Sequence, residues 1–212
     1  MWAYYLNQAG QWIFPPLCVH CERVGDWICP ACWRDSVRPH RHQYPQIEGI
    51  RGIHSLAAHI GAIRESLHAL KYKNTPALAW PLGQALAQGL PWPVEAVIPI
   101  PLHASRLQER GYNQAALLGR SIAHTLGRPL LTTHLVRHKA TQTQVGLGTQ
   151  ERRQNVETAF LARGSVPEGV LLVDDVCTTG ATLGAAAAAL QALGVQAIYA
   201  ATVSLAGQGA DA

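Results

Sequence analysis

Two groups of residues in this chain have the types and spacing to do chemistry. The first is Leu171-Leu172-Val173-Asp174-Asp175-Val176-Cys177-Thr178-Thr179-Gly180-Ala181-Thr182-Leu183. An apolar run ends in two acids, then come two threonines, a glycine and a third threonine, and an alanine-rich stretch follows. This reads as a buried strand, a sharp loop and a helix start. The acids then stand at the carboxyl end of the strand, and the loop amides and hydroxyls lie at the positive end of the helix dipole. Carboxylates there suit the hydroxyls of a sugar, while amides and hydroxyls suit a phosphate, so the pattern fits a ribose 5-phosphate. Two adjacent acids closing an apolar strand are costly without a cation or ligand, which sets the stretch apart from an ordinary capped crossover.

The second group is Cys18-Val19-His20-Cys21 followed by Cys29-Pro30-Ala31-Cys32. Two Cys-x-x-Cys pairs are what a tetrahedral Zn2+ site needs, each pair turning two thiolates toward one point. Four sulfurs leave no open coordination position, so a structural site is expected at Cys18, Cys21, Cys29 and Cys32. A short hairpin carrying Gly25-Asp26 would fill the spacer. Two disulfides or an iron-sulfur centre also use four cysteines and remain open at this stage. His20 is expected beside the site rather than in it. A segment this small buries little apolar surface, so a bound metal would supply its folding energy.

The elements that must position these groups follow from the apolar periodicity. Ile47 to Ile60 alternates loosely and suggests one or two strands. Ile60 to Tyr72 carries apolar residues at helical spacing. Pro76 to Leu90 suggests a second helix that Pro81 must open or kink. Ala96-Val97-Ile98 is a short strand, followed by a basic stretch with Arg106 and Arg110 and a helix from Ala115 to Leu126. Arg128 to Val136 reads as a strand. Arg137 to Asn155 is long, polar and basic, and reads as a flexible loop with Arg137, Thr141, Gln144 and Arg152. Val170 to Val173, Gly180 to Leu193 and Gln196 to Ser204 give strand, helix, strand. This alternation predicts an α/β fold with a mainly parallel sheet flanked by helices. The expected organisation is an N-terminal segment with the cysteine knuckle over 1–45, the α/β domain over 46–206 and a frayed tail over 207–212.

Composition narrows the partners. The 212 residues carry a net charge of +4 with only 14% charged residues, which permits a phosphate-rich partner without demanding one. No apolar run approaches the roughly 20 residues of a membrane span. Met1-Trp2-Ala3-Tyr4-Tyr5 lacks the basic start of a secretory leader, so a cytoplasmic location without membrane insertion is expected.

The stretch from Leu171 to Leu183 resembles the phosphoribosyl pyrophosphate (PRPP) signature of type I phosphoribosyltransferases. The resemblance implies that Asp174 and Asp175, as catalytic acids, hold the ribose hydroxyls. It also implies that Thr178, Thr179, Gly180, Ala181 and Thr182 wrap the 5-phosphate, with Mg2+ accompanying PRPP. Several further segments are similar to the competence protein F family. These are Val97 to His103 with Ser105-Arg106, then Arg110-Gly111-Tyr112-Asn113-Gln114, Arg137, Thr141, Gln144, Leu147, Arg152, Asn155-Val156 and Ala159-Phe160, with the knuckle ahead of Leu70-Lys71-Tyr72-Lys73. Lys139 departs from the pattern, standing where a second arginine is common, which keeps the charge but loses the bidentate fork. The family implies a phosphoribosyltransferase-like fold with a zinc knuckle, a part in natural transformation or use of external DNA, and contact with single-stranded DNA and an uptake helicase.

Arg106 and Arg110 would meet the pyrophosphate, although two arginines four apart also suit a solvated helix face. For Lys71 and Lys73 the duller alternative is neutralising a helix end and no more. Cys177 is expected as a small filler, and Trp27 and Trp33 either prop the knuckle or stack bases. An active phosphoribosyltransferase, a catalytically silent PRPP sensor and a single-strand DNA-binding factor all remain open as functions.

Overall fold

The computed structural model describes residues 15–37, 46–137 and 159–206. Helices are α1 (Pro30–Ser36), α2 (Gly61–Tyr72), α3 (Ala79–Gln88), α4 (Ala104–Arg110), α5 (Gln114–Leu126) and α6 (Ala181–Gln191). Strands are β1 (Gly52–Ala58), β2 (Ala96–Pro99), β3 (Leu135–Arg137), β4 (Phe160–Ala162), β5 (Gly169–Cys177) and β6 (Ala197–Leu205). Four strands form a parallel sheet in the order β1-β6-β5-β2. β3 and β4 form a separate antiparallel pair.

Both faces of the parallel sheet are covered, which is why its strands are apolar runs rather than alternating ones. On one face Leu67, Leu70, Leu82, Leu86, Leu118 and Ile122 of α2, α3 and α5 pack on Leu171, Val173, Ala201 and Val203. On the other, Leu183, Ala186, Ala187 and Leu190 of α6 pack on Leu172, Ile198 and Ala200, joined by Leu135 and Phe160. α3 and α5 approach closely at Gly83, where a Cβ would come within 2.6 Å of the Ser121 Cβ.

Several expectations are refined. Pro81 neither opens nor kinks a helix. A 3-10 turn over Pro76–Leu78 precedes α3, which leaves Pro81 in the first helical turn, where a missing N–H is no loss. The stretch 128–136 is not one strand. Only Leu135–Arg137 pairs, with β4, while Leu130 makes an isolated bridge to Val97. Pro129 contributes a carbonyl to the Val97 amide but has no N–H for a ladder. The basic stretch after β2 is not simply a loop, since Arg106 and Arg110 lie in the short helix α4.

The knuckle rests on the α/β body. The Ala62 amide donates to Ser36 Oγ (3.1 Å), His20 Nδ1 lies 2.8 Å from Glu65 Oε2, and Cys18, Cys29 and Cys32 share a small core with Ala62. Trp27 and Trp33 are half-buried against the larger core, the propping role of the two considered. Among the described residues no helix is long and apolar enough to cross a membrane.

Candidate functional site

The carboxyl end of β5 places Asp174 and Asp175 beside the openings of three connections. The Asp175 amide donates to Asp174 Oδ1 (2.8 Å), which fixes one carboxylate against the backbone. Lys71, at the end of α2, forms an ion pair with Asp175. Burial and then the charge of Asp175 push the Asp174 carboxyl well above the usual carboxylate range, with Lys71 pulling weakly the other way. Such a pair is a hard-oxygen donor set whose mutual repulsion a divalent cation would relieve.

Beyond Asp175 the chain turns through Thr178 and Thr179 to Gly180, which begins α6 at φ +78°. That conformation favours glycine, and a Cβ at this point would collide with Ile47. The Ala181 amide lies 3.4 Å from Thr179 Oγ1, and no side chain caps the helix from Gly180. First-turn amides are therefore presented at the positive helix end beside exposed threonine hydroxyls, an arrangement chemically suited to a phosphate.

The facing wall comes from the segment after β2. Asn113 Nδ2 donates to the Ile100 carbonyl (2.9 Å) and its Oδ1 accepts from the Ala115 amide (3.0 Å), so one side chain ties the loop and caps α5. Tyr112 Oη donates to the Leu70 carbonyl (2.7 Å), holding this wall against the end of α2. Arg110 donates to Gln114 Oε1 (3.1 Å), and its guanidinium lies 5.3 Å from the Tyr72 ring centre. Arg137 enters from β3 and lies over Phe160. Burial, then the nearby Arg106, disfavour the Arg137 charge, while Asp174 favours it.

These residues converge. A cavity of about 150 Å³ is lined by Lys71, Arg106, Arg110, Gln114, Arg137, Asp174, Asp175 and Thr182, among others. Four cations meet two acids, one of them disposed to be protonated, which makes the cavity attractive to anions. Of the site residues expected from sequence, Asp174, Asp175, Arg106, Arg110, Arg137 and Thr182 come together here. Thr178, Thr179 and Gly180 form the adjoining loop, and Ala181 opens α6. Thr141, Gln144 and Arg152 lie outside the described residues. Cys177 is buried and pushed up to about 11 by burial and then by Asp174, which fits a filler and not a nucleophile.

Sequence reasoning missed two members. Lys71 does more than neutralise a helix end, because it reaches the acid pair. Gln114 is 2% exposed and its Nε2 has no hydrogen-bond partner within the protein. Both stand in stretches singled out above, but neither stretch says which acid or cavity its residues meet.

The four knuckle sulfurs lie within 4.8 Å of one another. Zn–S bonds of about 2.3 Å place tetrahedral sulfurs roughly 3.8 Å apart, and Cys21 and Cys29 are at 3.6 Å, so the set encloses room for one ion. Disulfide sulfurs would be about 2.05 Å apart. Burial raises the Cys18 thiol, but amides of Cys29, Cys21 and His20 outweigh it and lower the thiol to about 6. Burial, then its sulfur neighbours, raise Cys32. His20 bonds Glu65 and stands beside the cluster.

These features define an α/β protein with a cation-lined cavity at the carboxyl edge of a parallel sheet and a four-cysteine cluster able to hold a metal. The chain is similar to competence protein F and to the YhgH DNA utilization proteins. It is 44% identical over 108 residues to competence protein F of Haemophilus influenzae, covering 49% of this chain and 47% of that protein. The chain thus matches about half the length of that relative, and 56% of the Salmonella typhi YhgH protein. It is 27% identical over 191 residues to the DNA utilization protein YhgH of Salmonella typhimurium, covering 82% of each. It is 27% identical over 183 residues to competence protein ComFC of Bacillus subtilis, covering 82% of this chain and 70% of that one. No family model matches the chain.

Two solved structures align with parts of it. One is glutamine PRPP amidotransferase from B. subtilis complexed with ADP and GMP, with a TM-score of 0.42 and 20% identity over 61% of this chain and 26% of that one. The other is adenine phosphoribosyltransferase from Trypanosoma brucei in complex with AMP, pyrophosphate and ribose-5-phosphate, with a TM-score of 0.38 and 14% identity over 65% of this chain and 68% of that one.

Proposed function

We propose that this chain binds PRPP together with Mg2+ and transfers its phosphoribosyl group to an acceptor, in the service of DNA uptake or the use of external DNA. The observation that carries this reading is the convergence of the acid pair, the threonine-glycine loop and four cations on one cavity. The loop amides and hydroxyls of Thr178 to Thr182 hold the 5-phosphate. Asp174 and Asp175 bind the ribose hydroxyls. Arg106, Arg110, Arg137 and Lys71 neutralise the pyrophosphate.

Departure of pyrophosphate takes the electron pair of its bond to the anomeric carbon and leaves positive charge there. Carboxylates fixed nearby stabilise that charge without reorganising. Mg2+, held by oxygens of Asp174 and Asp175 and by the substrate, would supply further neutralisation of the leaving group. The arginines keep the departing group in place, and the half-buried cavity limits competition from water. The segment with Thr141, Gln144 and Arg152 is assigned to closure over the leaving group. Zn2+ in the knuckle has a structural role, and single-stranded DNA and an uptake helicase are the proposed macromolecular partners.

Calorimetric titration of PRPP, with and without Mg2+, tests the reading. Magnesium-dependent binding on the order of −8 kcal/mol is expected, lost when Asp174→Asn and Asp175→Asn are combined. Equal binding by that double variant would remove the assignment. Binding without turnover on any acceptor would make the chain a PRPP sensor instead.

A further inference from the structure

Helix α2 joins the four-cysteine cluster to the cavity, end to end. Ile60 stands at its N-cap, and no side chain there caps the helix. The cap comes instead from the knuckle. Ser36 Oγ, 26 residues away and 5% exposed, accepts from the Ala62 amide (3.1 Å), the bond that an N-cap hydroxyl ordinarily makes in a first turn. Ser36 is the last residue of α1, whose own N-cap is Cys29 and whose first turn holds Cys32. Two of the four cluster sulfurs are thus one short helix away from the start of α2. Ala62 is fully buried in the small core of Cys18, Cys29 and Cys32, and Glu65, one turn on, meets His20.

At its other end the same helix makes three contacts with the cavity wall. The Leu70 carbonyl accepts from Tyr112 Oη, Lys71 pairs with Asp175, and Tyr72 lies under the Arg110 guanidinium. Between Ala62 and Lys71 the helix has neither Gly nor Pro, and Ile63, Leu67 and Leu70 lie in the core. Such a stretch, about 14 Å long, moves as a rod rather than bending.

Lys71 faces two partners. It pairs with Asp175, and it lines the cavity to which the pyrophosphate is assigned. The last turn of α2 therefore has two arrangements, one for each partner, which is the condition for passing a change between sites. We infer that metal in the four-cysteine cluster and the anion in the cavity strengthen each other's binding through α2, with Ser36 as the capping residue that couples them. A loaded cluster fixes α1, Ser36 and the first turn of α2, so less ordering of Lys71 and Tyr72 is left for the anion to impose. This rests on the transferase reading above in taking the anion to be pyrophosphate, and adds to it a regulation of that site by the knuckle.

The test needs no turnover and uses the full chain with two probes, zinc and inorganic pyrophosphate in excess Mg2+. In calorimetric titration, zinc-loaded protein should bind pyrophosphate about fivefold tighter, or more, than protein stripped by a chelator and desalted. Because coupling is reciprocal, zinc affinity measured by chelator competition should rise by the same factor when pyrophosphate is present. Ser36→Ala combined with Glu65→Ala leaves every cysteine and every cavity residue in place. That double variant, loaded with zinc, should bind pyrophosphate as weakly as the stripped wild type, with a coupling factor within about twofold of one. It also serves as the reference for zinc held by pyrophosphate in solution, and it decides the case even where stripping unfolds the knuckle. Equal pyrophosphate affinity of loaded and stripped wild type overturns the inference alone, and so does a double variant that keeps the full wild-type factor. No pyrophosphate binding by zinc-loaded wild type overturns the transferase reading and the inference with it, so the two failures are told apart.

Discussion

Lys71, in the last turn of α2, forms an ion pair with Asp175 at the end of β5. One face-covering helix is thereby latched to the site it frames. Both side chains are largely buried, at 21% and 14% exposed, so the pair is screened less than a surface bridge. Lys71→Met removes the cation and leaves two neighbouring acids. It should lower the unfolding free energy at pH 7 by about 1–3 kcal/mol. The deficit should shrink toward pH 4 as Asp174, whose carboxyl is raised, takes up its proton and ceases to repel Asp175. Urea unfolding at both pH values checks this, and a deficit that ignores pH would assign Lys71 a packing role.

Asp174 sets function against stability. Its folded-state carboxyl is raised by burial and by Asp175. A raised acid favours folding in its protonated form: its contribution is fully present below the ordinary value of about 3.9 and is lost as pH rises through the folded value. Asp174→Asn should therefore stabilise the free protein at pH 7, with the gain fading as pH falls through the raised folded value and gone below about 4, and should abolish PRPP binding. Thermal melts against pH provide the check. A variant no more stable than wild type at pH 7 would mean that ionised Asp174 carries no such cost.

Gln114 is held by Arg110 at its oxygen and has an unpartnered, buried nitrogen on the cavity. A donor in that state awaits an acceptor. Gln114→Met should weaken pyrophosphate binding by about 1 kcal/mol with little effect on the unfolding midpoint. Arg110→Ala, which loses a charge, its contact with Tyr72 and the Gln114 anchor, should cost about 2 kcal/mol in the same titration. Unchanged pyrophosphate affinity in both would move the leaving-group site elsewhere.

For the knuckle, metal analysis should give one zinc per chain, and Cys29→Ser or a chelator should remove it. Because Trp27 and Trp33 pack against the core beside the cysteines, metal loss should change tryptophan fluorescence together with the zinc content. Zinc retention should weaken as pH falls and protons compete for the thiolates. Wild-type protein purified without metal, yet with an unchanged fold of this segment, would contradict the assignment.

The stretch from Leu171 to Leu183 was readable from the residues because its signals are local. An apolar run, a glycine at positive φ and an alanine-rich helix each act within a few residues. The four cysteines were readable for the same reason, since ligand spacing within each turn is a local property. The α/β alternation followed from apolar periodicity alone. Tertiary structure decided the rest. β3 and β4 are three-residue strands, too short for periodicity to reveal, and they exist by pairing with each other across a long connection. Which basic residues reach the acids depends on β5 lying between β6 and β2, an order that no local pattern encodes. Lys71 meets Asp175, and His59 meets Ser204, only because β6 inserts beside β1, between it and the acids. Residue types and local spacing set what each segment can become, while contacts between distant segments are fixed by burying both faces of one sheet at once.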